Sequence, residues 1–104
     1  MTMANRQRHV TSSTVKTADA ANIASGPALI YWITASNSHA TDNCAIEIQD
    51  GLTDTGDTVW GVDQEFGTSS HYGFNPPLPC STGLTLDITG GTARVTIGYV
   101  SGKP

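Results

Sequence analysis

From Ala28 onward the chain alternates short apolar-rich runs with clusters of turn formers, and no run carries a helical period. The run ALIYWITAS, residues 28 to 36, is apolar on both faces and predicts a central strand. NSHATDN, 37 to 43, predicts a turn region. CAIEIQD then alternates cleanly, with Cys44, Ile46 and Ile48 inward and Ala45, Glu47 and Gln49 outward. After GLTDTG, the run DTVWGVD predicts its hairpin partner. Residues 64 to 79 hold three prolines and predict at most one short strand near residues 70 to 74, the prolines fixing an extended stretch between sheets or along an edge. LTLDIT and ARVTIGYV flank Gly90-Gly91 and predict a second hairpin, with Leu84, Leu86 and Ile88 paired to Val95 and Ile97. Residues 74 to 91 therefore predict scaffold.

The first 27 residues differ from this pattern. They predict a polar arm and connector over 1–27, with STVKT as a short edge strand and ADAANIASG as connector, followed by a sandwich over 28–104. Six to seven short strands without a helix predict an all-β chain, an antiparallel β-sandwich of jelly-roll type with an extended N-terminal arm. At 104 residues there is one domain with one modest core.

Composition agrees, being rich in Thr, Ser, Ala and Gly, which disfavours helices. Charge adds more. Of five basic residues, Arg6, Arg8 and Lys16 lie in the arm and the next is Arg94, while all nine acids lie between. A basic arm on an acidic body argues against nucleic acid as a partner, because phosphate neutralisation needs clustered cations. It favours contact between the arm and an acidic protein surface, a neighbouring copy included. ALIYWITA is too short to span a bilayer, which argues against a membrane partner, and no secretory signal precedes it. Synthesis in a cytoplasm follows as the expectation, with Cys44 and Cys80 as buried free thiols.

Candidate chemistry is sparse. His9, His39 and His71 lack zinc-ligand spacing. Ser70 and His71 beside Asp63 and Glu65 have the residue types of a triad, without a nucleophile elbow. Asp50, Asp54 and Asp57 form a weak calcium candidate, although the loop lacks the EF-hand spacing and Asp and Gly are ordinary turn residues. Tyr31 and Trp32 are adjacent on one strand, so regular pleating turns only one of them to the core and leaves the other on the outer face. That outer aromatic marks a contact surface, or equally a sugar-stacking surface.

The runs ALIYWITASNS, CAIEIQDG, TVWGV, FNPPLPCSTGL and TARVTIGY resemble small all-β virion proteins of tailed bacteriophages, of the capsid decoration, cement or minor head type. The resemblance covers roughly residues 26 to 100. It rests on an aromatic strand ending at Asn37, a strand ending Asp50-Gly51, a strand bearing Trp60, a proline-rich approach to Ser81-Thr82-Gly83-Leu84, and a last strand ending at Tyr99. It implies no enzymatic activity and no cofactor. It further implies binding to a major capsid protein lattice on the virion exterior, with threefold or lattice clustering of copies. Within that reading Arg6, Arg8 and Lys16 serve acidic partners, and Tyr31 or Trp32 serves apolar contact. The competing expectation is a carbohydrate-binding sandwich of a tail or fibre, with calcium at the acidic loop.

Overall fold

Alternation of apolar and polar positions builds a two-layer all-β fold in the computed structural model, which describes residues 9–53 and 55–102. Its eight strands are β1 (Thr11–Ser12), β2 (Ala20–Ala24), β3 (Ala28–Asn37), β4 (Cys44–Asp50), β5 (Asp57–Gln64), β6 (Thr68–Cys80), β7 (Leu84–Thr89) and β8 (Ala93–Ser101). One sheet has the order β1-β8-β3-β6 and the other β2-β7-β4-β5, with every pairing antiparallel. This strand order is that of a jelly roll.

The inner faces supply one core. β3 contributes Ile30, Ile33 and Ala35, β4 contributes Cys44, Ile46 and Ile48, β7 contributes Leu84 and Leu86, and β8 contributes Val95 and Ile97. Along the flank formed by β5 and β6, Trp60 packs edge-on against Tyr72 and Phe74, with centroids 5.1 and 5.8 Å away. Aromatic edges thus close a side that aliphatic residues leave open.

Several expectations need correction. β7 and β8 do not form a hairpin: β7 pairs with β4 and β2, and β8 with β3 and β1. Gly90-Gly91 carries the chain from one sheet to the other, so Leu84 and Leu86 share the core with Val95 and Ile97 without pairing to them. Both glycines have positive φ, and a Cβ on Gly91 would meet Asn37 Oδ1 at 2.8 Å. ADAANIASG is largely strand, because Ala20 and Ala24 pair with Leu86 and Leu84. Asn22, at φ 59°, interrupts that ladder and hides the alternation in the sequence. The proline-rich stretch is also strand. β6 is the longest of the eight, and it tolerates Pro76, Pro77 and Pro79 because it lies on a sheet edge.

Candidate functional site

The outer face of the first sheet is set by one irregularity in β3. Ile30 and Ile33 are both fully buried although they are three residues apart. A bulge between Ile30 and Trp32 reconciles them, leaving Tyr31 unpaired in both ladders. Regular pleating would have sent one of Tyr31 and Trp32 into the core, yet neither belongs to it. Trp32 sits across from Gly98 on one neighbour and Gly73 on the other. A Cβ built on Gly98 would fall inside the indole, so the ring lies flat on bare backbone there. Leu29 pairs with Val100 one step further on, and both stand apart from the core cluster, although Val100 is buried. Leu29, Tyr31 and Trp32, all half-buried, therefore make an apolar strip on the outside of the sandwich, beside the buried Val100.

The rest of this face is polar and carries no carboxylate. The His71 ring lies 6.1 Å from Trp32, and its Nδ1 is 3.0 Å from Thr34 Oγ1. Ser36 stands between Arg94 and Ser69 in the ladder, beside an open hollow lined also by Ser38 and Thr68. Among the described residues Arg94 has no carboxylate partner; the ion pair they contain joins His39 to Asp42 at 3.6 Å.

The outer face of the second sheet has the opposite character. Glu47 is flanked by Gly61 on one neighbour and Asp87 on the other, and Asp63 lies across from Ala45. A shallow hollow over Gly61 is bordered by Glu47 and Asp63. Three acids share this face, and Asp87 also accepts from Gln49 Nε2 at 3.5 Å.

Other sequence candidates separate. Ser70 turns inward, where its hydroxyl accepts a bond from Gln64 Nε2 at 3.1 Å, while His71 turns outward, so the two do not meet. Gln64 is instead the centre of an inner network, donating to Thr68 Oγ1 at 2.7 Å and accepting from Tyr72 at 2.9 Å. Asp50 is occupied within the fold. Its carboxylate accepts bonds from the Ser81 N–H and hydroxyl (both 2.9 Å), the Thr82 N–H (2.7 Å) and the Gly83 N–H (3.3 Å). Burial pushes this carboxyl up, but those donors outweigh it and hold it below its ordinary value. Asp57 lies opposite Asp50 at the strand end, and Asp54 lies outside the described residues. Arg6 and Arg8 also lie outside them. Lys16 exchanges backbone bonds with Val95, at 2.8 and 2.9 Å, and so extends the short β1 edge.

Both cysteines are free and buried. Burial, and secondarily the charge of Asp50, pushes the Cys80 thiol up to about 11. Burial and then Asp63 raise Cys44 in the same direction.

Sequence reasoning missed the role of Asn37, which is 1% exposed. Its amide donates to the carbonyls of Asp42 and Gln64 and accepts from the N–H groups of His39 and Thr92, all at 2.9 to 3.1 Å. It also missed the opposition of Arg94 to the acids. The outward register of Glu47, Asp63 and Asp87 was visible strand by strand, but which strands share a face was not.

No family model matches the chain, and no curated protein does. Among solved structures it is similar to a chain of the Bacillus endospore appendages, described as a novel family of disulfide-linked pili. That match has 18% identity, a TM-score of 0.51 and coverage of 98% of this chain and 97% of the other. A chain of infectious bursal disease virus, Gt strain, aligns at 16% identity and a TM-score of 0.27 over 90% of this chain and 30% of its own length. The appendage match speaks for a shared fold.

Proposed function

We propose that this chain is a structural subunit of a large protein assembly, a bacteriophage decoration or cement protein that binds the major capsid protein lattice at the virion exterior. The observation that carries the reading is the half-buried apolar strip of Leu29, Tyr31 and Trp32 on the outer face, the two aromatics kept off the core by a bulge. Part of that surface stays exposed in the folded chain, and covering it by a neighbour removes apolar area from water. The likeness of five strand segments to phage virion proteins supports the finer assignment. In this role the domain stabilises a particle by binding across subunit joints in the assembled state alone.

A second reading, a subunit of a pilus-like filament, is favoured by the nearly end-to-end fold likeness to the appendage chain. Cys44 and Cys80 are both inside the sandwich, so a filament of this chain would be held by non-covalent contacts between folded subunits.

Fractionation of particles from the producing culture, with mass spectrometry of each fraction, tests both. Recovery of the chain with a major capsid protein supports the first reading, and recovery with filaments supports the second. Recovery solely at the mass of a free chain overturns both.

A further inference from the structure

Three cross-strand rows follow one another along the outer face of the first sheet. Gly73, Trp32 and Gly98 form one, His71, Thr34 and Thr96 the next, and Ser69, Ser36 and Arg94 the third. The indole lies flat over Gly98, and the His71 ring, 6.1 Å away, is tilted from it by only 30°. Two ring faces therefore look outward side by side, His71 exposed and Trp32 half-buried. Thr34 Oγ1 holds His71 Nδ1 at 3.0 Å, which orients the imidazole and leaves Nε2 for a ligand. Among the described residues the indole N–H has no acceptor, and it is not sealed from solvent. The hydroxyls of Ser36, Ser69 and Thr96 are also without partners there, as is the exposed Arg94 guanidinium.

We propose that this face binds a short acidic oligosaccharide, one sugar ring stacked on Trp32 and His71 and the carboxylate of a ring further along held by Arg94. A pyranose suits the platform because its C–H face is apolar. Its rim of hydroxyls can pair with the indole N–H, His71 Nε2 and the free Ser and Thr hydroxyls. Four residues separate Gly98 from Arg94, about 14 Å at roughly 3.4 Å each, so the ligand spans more than one ring. Beside Arg94 the track ends in the open hollow bordered by Ser36, Ser38 and Ser69. Its volume of about 510 Å³ is within the range of small-molecule sites.

Charge selects the acid. The chain carries a net charge of -4, yet the three rows hold no carboxylate and one guanidinium. An anionic ligand is attracted here and repelled over Glu47, Asp63 and Asp87 on the other sheet. An acidic peptide is the poorer occupant. Strand addition needs free backbone groups, and β3 and β8 are bonded on both sides, so the middle of the track offers side chains alone. The inference is independent of the reading of the chain as an assembly subunit. Leu29 and Tyr31 precede Trp32 on the side away from Arg94, so a neighbour seated on those two does not need the track.

Titration of the full chain, read by tryptophan emission and calorimetry, tests the site. The acidic probes are trigalacturonate, a hyaluronan tetrasaccharide and sialyllactose. Cellotriose and lactose are the neutral comparators, and sodium sulfate and a glutamate tetrapeptide supply anions without a sugar. At least one acidic saccharide is expected to bind about tenfold more tightly than the neutral sugars and the sugar-free anions. Arg94→Gln is expected to weaken that binding about tenfold and to remove most of its salt dependence. Trp32→Ala is expected to weaken it severalfold and to abolish the emission change, with Trp60 alone remaining. Far-UV circular dichroism checks folding. Should Trp32→Ala fail to fold, His71→Ala, which removes an exposed ring, is expected to weaken binding severalfold in its place. The proposal is overturned if no acidic saccharide binds at millimolar concentration, or if a neutral sugar or a sugar-free anion binds equally well. Binding by Arg94→Gln, or by the stacking variant, that matches the wild type also overturns it. Recovery of the chain in particles is read separately, so failure here leaves the structural reading standing.

Discussion

Asn37 shows how much one polar side chain can hold. It bonds four backbone groups from three separate segments, residues 39 to 42, 64 and 92, and nearly all of it is out of water. Truncation strands those groups with little access to solvent, so Asn37→Ala is expected to lose about 2 to 4 kcal/mol of stability in urea unfolding. Asp50 performs a similar task for the turn at Ser81 to Gly83, with a charge. Its folded pKa lies below the ordinary 3.8, so the unfolded chain binds its proton first as pH falls. The stabilisation is thus present above about pH 4 and fades as pH drops through the lower folded value. Asp50→Asn is expected to lower Tm at neutral pH and to flatten the fall of Tm below about pH 4. An unchanged acid profile would mean that the turn does not depend on the charge.

Among the elements, β3 departs furthest from what its sequence predicts. An apolar run without alternation was read as a central strand, and it is one, bonded to β6 and β8. The bulge at Tyr31 was not legible, because nothing local distinguishes a strand that stays in phase from one that gains a residue. It was resolved by the ladders on both sides, which keep Ile30 and Ile33 inward and lay Trp32 on Gly98. Two substitutions test that packing together. Gly98→Ala alone is expected to destabilise by about 1 to 3 kcal/mol through overpacking against the indole, and by far less in a Trp32→Ala background. Additive losses would show that the ring does not rest on Gly98.

On the scale of the whole molecule, the arm and the sandwich are less separate than the sequence implied. Residues 11 to 16 lie along β8: Ser13 bonds the Ile97 carbonyl through its N–H and accepts from the Ile97 N–H through its hydroxyl, and Lys16 bridges Val95. Deleting residues 1 to 16 would strip the edge of β8 and leave its backbone groups unpaired. Such a truncation is expected to lower Tm and raise aggregation by light scattering, before any question of partner binding arises. A test of the basic arm as a partner contact is better made with Arg6→Ala and Arg8→Ala in the full chain.

The sequence by itself determined the class of the fold and, for most strands, which side chains turn inward. Cys44, Ile46 and Ile48, or Val95 and Ile97, were placed by alternation alone, because the two-residue period of a strand is a property of the local backbone. Only the tertiary structure decided which strands share a sheet. Two alternating runs around a diglycine turn look alike whether they pair or cross, and burying both inner faces favoured crossing. The same decision put Arg94 on one outer face and Glu47, Asp63 and Asp87 on the other. Charge order along the chain is local, but charge order around the molecule is set by pairing.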